Sequence, residues 1–292
     1  MKSFLKLVAA WVAVGAAFAV GGLVDRALHL RMNLPVDHSA AYVRLVAFGV
    51  GAAVLVLGMW PLARGLAASG RARSGVLAVF LFLALGANTI FDGAIYTAAF
   101  DGALASSLLM YLMLAVMLGA VLGMGFGEAG HATGFAQHGV FTLAWRAVLA
   151  FLAWPLIYFF FGACIAPIVM PYYQGGVVPG LHIPPLQGIF AVQLVRSLLF
   201  LASSLPLIVL WKGTRRSLWI ALGLAHSVAV GLFGLVVATF LPAVLRVTHS
   251  AEVWCDSFVY AGLLVMLFAA PGVGAKRVRA GGVIAEGMQG TS

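Results

Sequence analysis

A chain of 292 residues with 63% hydrophobic side chains, 9% charged ones and a mean hydropathy of +1.09 is too apolar for a soluble globule, whose apolar share is nearer roughly half. Its formal net charge of +9 does not point to nucleic acid. Most of its Lys and Arg residues fall in short segments on one side of a bilayer reading, so anionic lipid headgroups are their expected partner. The two cysteines, Cys164 and Cys255, both lie inside apolar segments, which excludes a disulfide framework and a zinc-ligand pair.

Backbone groups in hydrocarbon must hydrogen-bond within their own helix or a closed barrel. Apolar runs near the roughly 20 residues needed to cross a bilayer predict helices over residues 4–24, 43–62, 76–98, 103–124, 144–170, 189–210, 218–244 and 251–270. The expected fold is all-α, a polytopic integral membrane bundle of about eight transmembrane helices. Residues 1–272 form a single transmembrane domain and residues 273–292 a flexible basic tail. The first helix, flanked by Lys2 and Lys6, contains Ala17-Phe18-Ala19, which looks like a cleavage site. Its apolar run continues to Val24, so it is read as an uncleaved anchor.

Charge in the breaks sets orientation. Lys2 and Lys6, Arg64, Arg71 and Arg73, Arg146, Lys212, Arg215 and Arg216, and Lys276, Arg277 and Arg279 all fall on one side. That side is expected to be cytoplasmic, with both termini inside and the protein in a cytoplasmic (inner) membrane. Trp60, Trp145, Trp211 and Trp219 fall at predicted inner helix ends and Tyr172 and Tyr173 at an outer one, where aromatic belts belong. Residues 170–187, with five prolines and glycines between Pro171 and Gly180, read as an outer loop rather than a helix.

A weak self-similarity runs through the chain. Pro61 is followed by Arg71-Ala72-Arg73-Ser74 much as Pro206 is followed by Arg215-Arg216-Ser217, as a parallel four-plus-four repeat would give. Arg44 and Arg196, however, precede their prolines by different distances, and on that register the similarity reads as chance.

Of eight acids, Asp25, Asp37, Asp92, Asp101, Glu252 and Asp256 map to the outer half, and Glu128 and Glu286 to the inner. Asp92 sits about two turns from the outer end of the third helix, and Arg196 lies at similar depth in the sixth. A charge there costs roughly 2.5–3.5 kcal/mol on insertion scales, so these residues are expected to face the bundle interior and to pair. The pair either fixes helix packing or lines a substrate site, and Asn88, one turn before Asp92, fits both.

The densest constellation runs from Arg246 to Ser257. Spacings of three and four put His249, Glu252, Asp256 and Tyr260 along one stripe. His249, Glu252 and Asp256 would suit an ionic substrate or lipid headgroup, or, as a weaker alternative, zinc, iron or manganese. The plainer reading is a helix start, with acids favouring its dipole, Ser250 as its cap and Arg246 at the headgroups.

Other candidates carry less. Glu128, His131 and His138 share a glycine-rich inner turn. His226, alone near mid-membrane, is expected to hydrogen-bond a neighbouring helix. Trp154, Tyr158, Phe159, Phe160 and Phe161 point all round one helix, as packing and lipid contact require.

The resulting expectation is a protein that binds or translocates a small polar or ionic solute, or a lipid headgroup, through an outward-facing polar pocket lined by Asp92, Arg196, His249, Glu252 and Asp256. One alternative is a membrane-embedded enzyme with a histidine and carboxylate site facing outward. Another is an accessory subunit whose intramembrane charges pair with a second protein. No cofactor is indicated by any motif.

Overall fold

The computed structural model describes residues 2–30, 37–96, 103–127, 132, 136, 139–174, 178 and 180–270. Eight helices among them are long and apolar enough to cross a membrane. They are α1 (Lys2–Ala27), α2 (Ala41–Gly65), α3 (Gly70–Tyr96), α4 (Leu104–Gly125), α5 (Val140–Gln174), α6 (Leu186–Val209), α7 (Arg215–Val237) and α8 (Ala243–Phe268). This is an all-helical, multi-pass membrane architecture. Its outer surface is apolar, with Phe141, Leu156 and Met266 largely exposed, as side chains facing lipid would be.

Two boundaries depart from expectation. The apolar run of residues 218–244 conceals a turn at Thr239-Phe240-Leu241, and α8 starts at Ala243, after Pro242. Pro at a helix start loses no internal hydrogen bond. Arg246 and His249 therefore lie inside α8, and Ser250 is not its cap: the hydroxyl donates to Arg246 O within the helix. Arg246 instead donates to Leu235 O and Val236 O at 2.8 Å each, closing the end of α7. At the other site, α5 continues through Pro167 and Pro171 to Gln174, so Tyr172 and Tyr173 are helical rather than in a loop.

The basic segments gather at one end of the bundle. The Lys6 ammonium stands 5.8 Å from the Phe126 ring, joining the start of α1 to the end of α4. Arg73 donates from Nε to Gly123 O at 2.9 Å, and Arg215 from Nε to Ala269 O at 3.1 Å. Each guanidinium thus satisfies carbonyls at the end of a neighbouring helix, the sense the helix dipole favours.

Those two arginines belong to a repeated design. In each half the third helix packs on the fourth and the first on the fourth, while α2 packs on α7 and α3 on α6 across the halves. Leu66, after α2, and Trp211, after α6, pair as an antiparallel bridge, with Ala67 N donating to Leu210 O at 2.7 Å and Lys212 N to Gly65 O at 3.0 Å. Ser69 caps α3 through Ala72 N, and Thr214 caps α7 through Ser217 N. Both α3 and α7 loosen midway into a π-helix, at Leu81–Ala87 and Val228–Leu232.

The register is shared as well. Pro61 and Pro206, Leu66 and Trp211, and Ser69 and Thr214 are each 145 residues apart. At the same spacing, the buried positions Gly51, Ala52, Leu55, Val56, Gly58, Met59, Leu62 and Ala63 of α2 all fall on buried positions of α6. A spacing of 142 matches Leu114, Leu118, Leu122 and Phe126 with Asp256, Tyr260, Leu264 and Phe268, again all buried. A four-plus-four repeat of parallel topology accounts for these coincidences, and the reading by chance is corrected. Matching Arg44 with Arg196 misled the sequence comparison, because Arg196 corresponds to Gly51.

Candidate functional site

The polar cluster lies between α3 of the first half and α5, α6 and α8 of the second, in the part of the bundle away from the basic end. Arg196 projects from α6 and is 4% exposed. Its Nε donates to Asn88 Oδ1 at 2.7 Å and its Nη1 to Asp92 Oδ1 at 2.8 Å. The guanidinium carbon stands 5.5 Å from the Trp154 and Tyr158 rings and 5.7 Å from Phe200. Asn88 follows directly on the π segment of α3, whose wider turn resets the helix register just where Asn88 and Asp92 meet α6.

The expected Arg196–Asp92 pair is therefore present, and unevenly buried. The Asp92 side chain is 42% exposed against 5% for Arg196, so the carboxylate marks the open side of the cluster.

His249 and Glu252 form a second pair on α8. Nδ1 of His249 lies 2.7 Å from Glu252 Oε2, and Nε2 lies 3.1 Å from the Tyr173 hydroxyl of α5. Glu252 is 7% exposed. Its other oxygen faces Gly162 of α5, where a Cβ would stand 3.5 Å away.

Asp256, one turn deeper on α8, is 3% exposed, and its Oδ1 has no hydrogen-bond partner among the described residues. It lies close enough to Glu252 and Arg196 to interact with both charges. Gln193 Nε2 and the Tyr260 hydroxyl are likewise buried and unpaired, although Gln193 Oε1 accepts from Trp154 Nε1 at 3.0 Å. Buried polar groups without partners cost about 1–3 kcal/mol each, and such a concentration is what a hydrated or ligand-holding space leaves behind.

Of the five predicted residues, the structure joins Arg196 to Asp92 and His249 to Glu252, and places Asp256 within electrostatic range of Glu252 and Arg196. Among the described residues no three His, Cys, Asp or Glu side chains are grouped to hold a metal ion. Glu128, His131, His138, Asp101, Glu286 and the tail at 273–292 lie outside the described residues.

Tyr96 is not singled out by the sequence, which assigns Tyr158 to packing and lipid contact and Tyr173 to an aromatic belt rather than to the site. All three adjoin the cluster and one another: Tyr96 and Tyr158 share a hydrogen bond of 2.7 Å, and the Tyr96 and Tyr173 rings stand 6.2 Å apart. Tyr96 is close enough to Asp92, Arg196 and Glu252 to sense their charges. Tyrosines at helix ends also form ordinary interfacial belts, so only the adjacency of α3, α5 and α8 distinguishes these three.

Toward the basic end the cluster is closed. His226 of α7 accepts or donates at Nε2 with Ser204 Oγ of α6 at 2.7 Å, the interhelical bond expected of it. Its ring is boxed edge-on by Phe80, Phe200 and Tyr260. One turn nearer the basic loops, Leu77, Leu207, Leu222 and Leu264 are each fully buried and form an apolar floor. A separate groove of about 630 Å³ between α5 and α6, lined by Phe159, Leu186, Gln187, Phe190, Ala191 and Leu194, is apolar and includes none of the predicted site residues.

The position of the cluster across the repeat is informative. Gly51 takes the place of Arg196, Phe233 that of Asn88, Val237 that of Asp92 and Leu114 that of Asp256. A Cβ on Gly51 would meet Val237 Cγ2 at 2.8 Å and Phe233 Cδ2 at 3.4 Å, so the same three helix positions touch in both halves. One half closes the place with apolar packing and the other fills it with charge. Comparison with protein-family models, with curated proteins and with solved structures finds no match to this chain.

Proposed function

We propose that this protein binds, and in one reading translocates, a small polar or ionic ligand, free or as a lipid headgroup, through a pocket formed by Asp92, Arg196, His249, Glu252 and Asp256. By the positive-inside rule the basic end is cytoplasmic, both termini are inside an inner membrane, and the pocket faces outward.

The observation that carries this reading is the apolar counterpart of the site. If buried charge served only to hold α3 against α6, the other half would need an equivalent, yet Gly51, Phe233 and Val237 make the same helix contact without it. Replacing a buried ion pair by packed apolar groups is commonly neutral or stabilising by 1–4 kcal/mol, so the fold has a cheaper solution at hand. Intramembrane charge that the fold does not need is by default functional.

Labelling tests the pocket. In a background with Cys164→Ser and Cys255→Ser, both native thiols being exposed, the Asp256→Cys and Glu252→Cys variants should react with a small water-soluble methanethiosulfonate from the outer face. The Leu114→Cys variant, at the equivalent apolar place, should not. Equal protection of all three would end the proposal.

A second reading has one observation in its favour. His249 is held between Glu252 and the Tyr173 hydroxyl, a carboxylate–imidazole–hydroxyl order that would support acid/base catalysis at the mouth. Loss of turnover but retention of ligand binding in His249→Gln would mark it out.

A further inference from the structure

Three carboxylates, from Asp92, Glu252 and Asp256, face one guanidinium and one imidazole in the cluster. The guanidinium is already committed: Nε and Nη1 are bonded to Asn88 and Asp92, and rings from Trp154, Tyr158 and Phe200 stand within 6 Å of its carbon. An anion arriving at Arg196 would have to sit among the carboxylates of Asp92, Glu252 and Asp256. Unused capacity among the described residues includes donors at Gln193 Nε2 and the Tyr260 hydroxyl, but the only carboxylate oxygen of the cluster that is buried and unpaired is Asp256 Oδ1, one turn from Glu252. Beside the His249–Glu252 pair stand the rings of Tyr173, Tyr96 and Tyr158, joined to it through the Tyr173–His249 contact, and such ring faces stabilise a weakly hydrated cation.

Resting on the reading of the cluster as a ligand pocket, we propose that its ligand carries a cationic substituted-ammonium group, held between Asp256 and Glu252 and covered by the three tyrosines. The pocket takes one such group, not two, because the equivalent place in the other half is filled by Phe233, Val237 and Leu114. Arg196 is a positioning residue here: it fixes Asp92 and Asn88 and leaves the deeper carboxylates to the ligand. An alkali ion would also be drawn to the carboxylates, but as a hard cation that seeks oxygen ligands it would have less use for the ring faces.

The test uses purified full-length protein and choline chloride as probe, followed by titration calorimetry at constant ionic strength. Saturable binding is expected, with at least about tenfold weaker binding of the uncharged isostere in which carbon replaces the quaternary nitrogen. Asp256→Asn and Glu252→Gln should each weaken choline binding by about tenfold or more while keeping the thermal midpoint near that of the parent. The isostere comparison stands on the unmodified protein, so it decides the matter even if one variant fails to fold. Equal binding of the isostere, full displacement of choline by sodium, or no choline binding overturns the ammonium assignment. Acetate binding that depends on Arg196 also overturns it while leaving the pocket intact, whereas failure of the Asp256→Cys and Glu252→Cys labelling removes the pocket itself.

Discussion

Arg196 and Gly51 hold equivalent places in the two halves of the bundle, and their neighbours correspond: Asn88 and Asp92 around the first, Phe233 and Val237 around the second. The same helix crossing is thus closed once by a charged pair and once by apolar contact.

That equivalence yields a stability test. Arg196→Ala leaves Asp92 and Asn88 without their partner and should lower stability by about 3–5 kcal/mol, the usual cost of breaking a buried pair from one side. Building the apolar version with Arg196→Gly, Asn88→Phe and Asp92→Val should recover most of the loss while removing ligand binding. Thermal unfolding of the purified variants measures both. A triple variant as unstable as Arg196→Ala would mean that the charges hold the fold.

The repeat could not be read from residue identities, and particular positions show why. Of the eight matched buried pairs between α2 and α6, Leu62 and Leu207 alone are the same residue. What the halves share is burial register, cap geometry and the π segments, none of which leaves a literal trace in sequence. The eight spans were legible because hydrocarbon thickness imposes a length, and the Arg196–Asp92 pair because an intramembrane charge must find a partner. The start of α8 was not, since Phe240 and Leu241 continue the apolar run that hides Pro242. Tyr96, Tyr158, Tyr173 and Gln193 join the site through helix adjacency, which periodicity does not encode.

Sidedness is open to direct measurement. In the same background lacking native thiols, His182→Cys should react with an impermeant maleimide in intact cells and Ser69→Cys only after permeabilisation. His182 lies beside Tyr96, its backbone N donating to Tyr96 O, while Ser69 caps α3 at the basic end. The reverse pattern would invert the topology.

The paired arginine contacts at the basic end should differ in weight. Arg73 is 5% exposed and spans Gly123 O and Ala68 O, the latter at 2.6 Å, whereas Arg215 lies on the exposed start of α7. Hydrogen bonds to charged donors contribute about 1.5–3 kcal/mol when buried, so Arg73→Ala should cost more than Arg215→Ala. Arg73→Lys should rescue little, because an ammonium lacks the planar fork that reaches both carbonyls. Denaturation midpoints that place Arg215→Ala below Arg73→Ala would contradict this.

Acid should loosen the connection between α1 and α2. Asp37 accepts from the Thr239 hydroxyl and from Ser39 N. The Thr239 bond is the main reason its carboxyl ionises below the usual carboxylate range. A depressed pKa adds stability above the unfolded value, and that stability is lost as pH falls through the folded one. Because Asp37 is largely solvated, the effect should be small and salt-sensitive. Asp37→Asn should flatten the acidic limb of the melting-temperature profile, and an unchanged limb would show the latch contributes nothing.

The His226–Ser204 bond provides a contrast to the ligand site, since an apolar floor separates it from the basic end and its ring is enclosed by aromatics. Nδ1 of His226 has no partner among the described residues, so Ser204 Oγ is the bond that satisfies the ring. Ser204→Ala should therefore destabilise the protein by about 1–3 kcal/mol, the cost of a buried group left unsatisfied. Across the repeat the corresponding residues are Leu81 and Met59, both buried, which shows that apolar side chains fit these two places. Combining His226→Leu with Ser204→Met should then cost less than the two single changes together, a coupling that a double-mutant cycle by thermal or denaturant unfolding would measure. Choline binding should change by less than about threefold in the double variant, because these residues lie below Tyr260 and outside the proposed ammonium cage. Additive costs would show that the two side chains act independently, and a large loss of binding would extend the pocket down to His226.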